Sequence, residues 1–278
     1  MQRIRRGFVD IAEGQVHLRR AGAAAGLPLV MVHASPGSAR MLEPLIGRFA
    51  EARPVIACDT LGNGDSAAPA RRDADIAYFA DAHLRALDGL GVDRFDLYGS
   101  HTGANIACEI AIAAPARVRR LVLDGVSLYA PEERAEMLVH YAPGVTLDQQ
   151  GSQLAWIFNF VRDGYLFWPW YKRAAANRRP LGLPSAEALH EKAVEVLKAA
   201  TTYHISYNAA IAYDKAPRLK LVGAPTLLAC ARSDMLFAYF DAVRALMPQA
   251  EPLVTQGTAT PETLAETIAA FEAFYARP

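Results

Sequence analysis

The sequence predicts an α/β fold, a mostly parallel sheet flanked by helices, with a helical segment inserted before its last strands. Three observations carry this expectation. Short apolar runs alternate with segments of helical spacing through the first 126 residues and again after residue 217. Between residues 127 and 217 the alternation stops, and the chain becomes helix-like, aromatic and broken at Pro143, Pro169, Pro180 and Pro184. The 278 residues are 52% apolar, enough to close one substantial core with a lid. The expected organisation is a core of residues 1–126 and 218–278 and a helical cap of residues 127–217.

Taken in order, residues 15–20 have period-2 strand character after the turn at Glu13 and Gly14. Residues 27–33 are an apolar run of the kind a strand buried on both faces requires. After Pro36 and Gly37, residues 39–49 have helical spacing, and residues 55–58 form a second buried strand ending at Asp59. Residues 76–90 are helical again. Residues 95–98 make a third buried strand, a tight turn follows at 99–103, and the apolar helix 104–114 stops at Pro115. Residues 118–123 supply the next strand. Beyond the insertion come a strand over 225–230, a last strand near 253–257, and a helix over 261–275 opened by Thr260 as its cap with Glu262 in the first turn. Strand-helix-strand order of this kind specifies parallel pairing with helices on both faces.

Composition excludes several roles. Lys+Arg and Asp+Glu both total 29, so no net field favours a nucleic acid or an anionic membrane surface, and neither is expected as a partner. Cys58, Cys108 and Cys230 are widely spaced in apolar surroundings and read as reduced core residues. The basic residues Arg3, Arg5 and Arg6 lead into Gly7-Phe8-Val9-Asp10 rather than into an apolar signal core, and no later run is long enough to span a bilayer. A cytoplasmic monomer or homodimer acting on a small-molecule substrate is the expectation.

Three motifs carry chemistry. Val32-His33-Ala34-Ser35-Pro36-Gly37 follows the first buried strand, Asp59-Thr60-Leu61-Gly62-Asn63-Gly64-Asp65-Ser66 follows the second, and Tyr98-Gly99-Ser100-His101-Thr102-Gly103 joins the third strand to an apolar helix. In order and spacing they resemble the α/β-hydrolase family, on both sides of the insertion. The resemblance implies that the first motif is an oxyanion loop like H-G-x-P-G, offering the backbone N–H of Ser35, and that the N–H of Thr102 is the second donor. It implies that the glycine-rich second loop is architectural. It also makes the third motif the counterpart of the G-x-S-x-G nucleophile elbow. Only small residues two positions either side of the apex let strand and helix approach, so Gly99 and Gly103 set His101 at the apex. Centring the turn on Ser100 would place Tyr98 and Thr102 in those slots.

The same alignment makes Ala231-Arg232-Ser233-Asp234 the counterpart of the family's G-x-x-D turn, with Asp234 as the acid and Asp124 as a second candidate. The family's histidine is missing. Gly257-Thr258 stands where Gly-His is expected, and no histidine follows His204. A Ser-His-Asp mechanism therefore lacks both its serine and its base.

Two readings fit. In the first, the protein is a cofactor-independent hydrolase or lyase in which His101, oriented by Asp234, acts as general base on a small hydrophobic or aromatic carbonyl substrate. His33 and His204 are the alternative bases. In the second, the fold survives as an inactive ligand-binding protein. The aromatic insertion suggests that Trp156, Phe160, Trp168, Tyr203 and Tyr207 line the substrate pocket, and the basic run Lys172, Arg173, Arg178 and Arg179 reads as a solvated face. No metal is expected, since no histidine pair has ligand spacing.

Overall fold

The structure is a computed structural model and describes residues 2–23, 25–180 and 182–277. Eight strands form one sheet in the order β1-β2-β4-β3-β5-β6-β7-β8. The first two are β1 (Arg5–Ile11) and β2 (Gly14–Ala21), an antiparallel hairpin. β2 also pairs antiparallel with β4 (Val55–Cys58). From there β3 (Leu29–Val32), β5 (Phe95–Ser100), β6 (Val118–Asp124), β7 (Thr226–Ala231) and β8 (Glu251–Thr255) are parallel, so their carboxyl ends share one edge. β1 is the strand the sequence reading did not assign. Among its residues only Val9 is buried, and an edge strand with one apolar anchor leaves little periodic signal.

Helices cover both faces. On one lie α1 (Glu43–Phe49) and α10 (Pro261–Tyr275), whose Ile46, Phe49, Phe271 and Phe274 pack on Leu29, Met31, Tyr98 and Val122. On the other lie α2 (Ile76–Gly89), α3 (Thr102–Ala113) and α9 (Phe240–Leu246), with Phe79, Ile106, Ile110 and Val243 against Val30, Leu97 and Leu121. The helix expected over 39–49 is split. Ala39–Leu42 is a 3₁₀ turn capped by Ser38, and α1 starts afresh with Pro44 in its first turn, where a missing N–H costs nothing.

Between β6 and β7 stand α4 (Pro131–His140), α5 (Ser152–Leu166), α6 (Ala186–Lys198), α7 (Tyr203–Ala212) and α8 (Lys215–Leu219). This insertion has an apolar core of its own, built on Met137, Ile157, Phe160, Trp170, Val196 and Tyr203. Among the described residues no helix is long and apolar enough to cross a membrane.

Candidate active site

Parallel strands bring the loops after β3, β5, β6 and β7 to the same edge, and those loops carry Ser35, His101, Asp124 and Asp234. His101 holds the turn from β5 into α3 with φ 51 and ψ −109, and among the described residues no other non-glycine has a positive φ. Glycines force the turn. A Cβ on Gly99 would run into the backbone of Gly103, and a Cβ on Gly103 would strike the carbonyls of Val32 and His33. Their absence lets α3 seat directly on β3 and β5.

The His101 ring points at the loop after β7. Its Nε2 lies 2.8 Å from Asp234 Oδ2, and the other carboxylate oxygen accepts the Leu236 N–H at 2.7 Å. Burial disfavours the imidazolium, but the Asp234 carboxylate outweighs it and holds His101 above the ordinary histidine range. Burial likewise raises Asp234, and the imidazole with the Leu236 N–H overturns that, leaving the carboxyl below its usual range. With Nε2 committed to Asp234, Nδ1 is the ring nitrogen left for chemistry. Room for the ring depends on Gly125, at φ +72, where a Cβ would stand 2.5 Å from Cδ2 and 2.7 Å from Nε2.

Two cavities meet at His101. The larger, about 280 Å³, runs under the insertion between Phe160, Val161, Tyr165, Trp170, Met41 and Met235. Two cations, Arg179 and Lys192, also face it. Arg179 donates to the Gly164 carbonyl at 2.8 Å, and Lys192 donates to the Pro36 carbonyl; neither is ion-paired among the described residues. Burial pulls the Lys192 amine down to about 7. The smaller cavity, about 30 Å³, is bounded by Thr102, Asn105, Ser127, Tyr129 and Trp168. Ser35, His101, Tyr141, Tyr207 and Met235 border both.

Of the residues expected at the site, Ser35, Thr102, Phe160, Trp168 and Tyr207 border these cavities. Trp156 and Tyr203 do not. Tyr203 is fully buried and donates to the Pro143 carbonyl at 2.7 Å, while Trp156 stacks on Phe160 at 5.3 Å, because a layer of helices needs a core of its own. His33 is spent on the loop, with Nδ1 on the Ala34 carbonyl and Nε2 accepting from the Thr60 N–H, both at 2.9 Å. His204 borders neither cavity and lies against Gly144. Asp124 accepts the Tyr98 hydroxyl at 2.8 Å, and burial raises its carboxyl. Ser100, set aside as nucleophile, is also on the wall of the larger cavity. The sequence reading missed Gly125, Tyr141, Lys192 and Asn105. Only Gly125, directly after a strand end, left a local trace.

His17, Asp59 and Asp65 are a grouping whose ligand atoms approach metal spacing. The Asp59 carboxylate already accepts from Ala39 N at 2.7 Å, His17 Nδ1 at 2.9 Å and Asp65 N at 3.0 Å, so it works as the hub of two loops.

Fold and strand-end loops together define an α/β hydrolase. The sequence profile of the alpha/beta hydrolase fold matches residues 28–259, and the chain belongs to that family. It is similar to the 2-hydroxymuconate semialdehyde hydrolase of Pseudomonas sp. (strain CF600), 40% identical over 37% of this chain and 38% of that protein. It is also similar to the 2-hydroxy-6-oxo-2,4-heptadienoate hydrolase of Pseudomonas putida F1, 37% identical over 41% of this chain and 43% of the relative. The match thus spans less than half the length of these relatives. Among solved structures, the enol-lactonase from Burkholderia xenovorans LB400 superposes with a TM-score of 0.74 over 98% of this chain and 100% of its own, at 16% identity, a likeness of fold.

Proposed function

We propose that this protein is a cofactor-independent hydrolase or lyase acting on a small, hydrophobic or aromatic carbonyl substrate, with the His101–Asp234 pair in place of a Ser-His-Asp triad. The observation that carries the reading is the 2.8 Å bond from His101 Nε2 to Asp234, made from a strained apex that borders a cavity of about 280 Å³. Asp234 fixes the tautomer, and Nδ1 then takes a proton from water or from the substrate. The charge that develops on the carbonyl oxygen is met by the N–H groups of Ser35 and Thr102. Thr102 is the first residue of α3, where an N–H has no partner within the helix.

The larger cavity, closed over by the insertion as a cap, takes the substrate body. Arg179 and Lys192, neither ion-paired among the described residues, favour an acid, which agrees with the keto and aldehyde acids named for the two Pseudomonas relatives. A second reading, an inactive binding protein, draws on Gly257 and Thr258 standing where the family's histidine is expected.

Turnover of 2-hydroxy-6-oxo-2,4-heptadienoate and of phenyl esters decides between them. The expected result is a loss of about 10²–10⁴-fold in kcat for His101→Ala and a smaller loss for Asp234→Asn, with no adduct on Ser100 from serine-directed phosphonates. Full turnover in His101→Ala sinks the dyad. Tight binding of these compounds with no turnover in wild type or variant selects the binding protein.

A further inference from the structure

The small chamber beside His101 has features that the dyad alone does not explain. Its walls are the polar residues Thr102, Asn105, Ser127 and Tyr129, closed by Trp168 and Ile211. Asn105 is 5% exposed, and among the described residues its side-chain amide has no hydrogen-bond partner. Its amide atoms are not sealed off but open on the cavity, so a water or a ligand group there is what can satisfy them. The size of the chamber chooses between them. About 30 Å³ suits one or two waters. The substrate body has the separate 280 Å³ cavity, and His101 stands on the boundary of both.

We propose that this chamber holds the attacking water of the reaction, anchored by the Asn105 amide and delivered to His101, so that Asn105 is a positioning residue for hydrolysis. The inference rests on the dyad reading above and commits it to hydrolysis rather than a lyase reaction. The Asn105 amide fixes the oxygen, and Nδ1 of His101 accepts the departing proton. The resulting hydroxide forms its bond to the substrate carbonyl carbon while the carbonyl π pair moves onto oxygen. As that intermediate collapses, the bond to the leaving group breaks, and the proton held on the imidazolium passes to the leaving group. Atoms and charge balance without any further reactant.

The first test does not need the substrate. A high-resolution crystal structure of the full chain should show an ordered water within hydrogen-bond distance of both the Asn105 side chain and His101 Nδ1, and Asn105→Leu crystals should lack it. A dry chamber, or a water that touches Asn105 but not the imidazole, overturns the proposal. The second test is kinetic, with 2-hydroxy-6-oxo-2,4-heptadienoate and phenyl acetate as probes. Asn105→Leu, which fills the space, should lose about 100-fold in kcat with KM within about threefold, and Asn105→Ala, which cannot overpack, about tenfold. Wild-type kcat in both variants overturns the water site while a dead His101→Ala leaves the dyad standing; full turnover in His101→Ala strikes the dyad itself. If neither probe is turned over, the crystallographic result alone decides.

Discussion

At the scale of single residues, the site is a set of accommodations around one imidazole. His101 takes a backbone conformation that costs an ordinary side chain of order 1–3 kcal/mol, and Gly125 leaves the space its ring fills. Gly125→Ala should therefore displace the ring from Asp234 and abolish turnover, read by loss of the shifted His101 signal in an NMR titration with the fold retained. The carboxylate also sets the pH response. With His101 as the proposed base, which must be neutral to act, the rate should rise with pH through a midpoint above the ordinary histidine value of about 6.5. In Asp234→Asn the largest influence opposing burial is gone and only the weaker field of Asp124 remains, so that midpoint should move to lower pH. A pH–rate profile that does not shift would separate the limb from His101. The same pair contributes stability only between the lowered Asp234 value and the raised His101 value. It is lost as pH falls through the first or rises through the second.

At the scale of elements, the strand the sequence concealed is held by a contact distant in sequence. Glu13, in the turn between β1 and β2, receives two bonds from Arg85 of α2 at 2.6 and 2.8 Å and a third from Tyr78. The Arg85 guanidinium outweighs burial and holds the Glu13 carboxyl down to about 2. A depressed carboxyl stabilises the fold above its unfolded value of about 4.5 and loses that contribution as pH falls toward 2. Denaturant melts of Glu13→Gln should accordingly lie below wild type at pH 7 and converge with it near pH 2. The hairpin amides should also exchange faster in the variant at pH 7. The Asp59 hub ties the loop after β4 to Ala39 and to β2. Gly64 is required there, because at φ +58 a side chain would collide with the Asp59 carboxylate.

Across the whole molecule, the question is how the insertion is fixed over the sheet. The fastenings converge on α6 and the start of α7. Buried Glu195 accepts from Ser38 and is ion-paired with Lys198 at 3.0 Å, Lys198 reaches Asp65 at 3.1 Å, and Thr202 Oγ1 donates to the Gly62 carbonyl at 2.7 Å. Apart from the Glu195–Lys198 pair, which lies within α6, these contacts join the insertion to the loops after β3 and β4, the wall that carries Ser35. Truncating Glu195 leaves Ser38 buried without its acceptor, a cost of about 1–3 kcal/mol. Since all three tryptophans lie in the insertion, Glu195→Ala should lower the tryptophan-fluorescence transition relative to the far-ultraviolet circular dichroism transition. Coincident transitions in the variant would show that the apolar core of the insertion, not this latch, holds it in place.

Seven of the eight strands, the parallel order of the central ones, the apex position of His101 and its proximity to the loop after β7 were readable in the chain. Each rests on local physics: continuous apolar runs, Gly99 and Gly103 flanking a turn, and an aspartate placed soon after a strand end. What the sequence could not give was the lining of the cavities. Lys192 and Asn105 sit on helices whose spacing looks ordinary, and they become site residues only because α6 and α3 turn those positions toward His101. Trp156 and Tyr203 have the composition of a pocket and belong instead to the core of the insertion, since which face of a helix meets a ligand is decided by what packs on the other. β1 was hidden for a related reason: its order comes from pairing with β2 and from the Glu13–Arg85 contact, and neither is encoded within its own seven residues. Periodicity fixes which elements exist, whereas the contents of a cavity depend on side chains far apart in sequence, and only the folded chain brings them together.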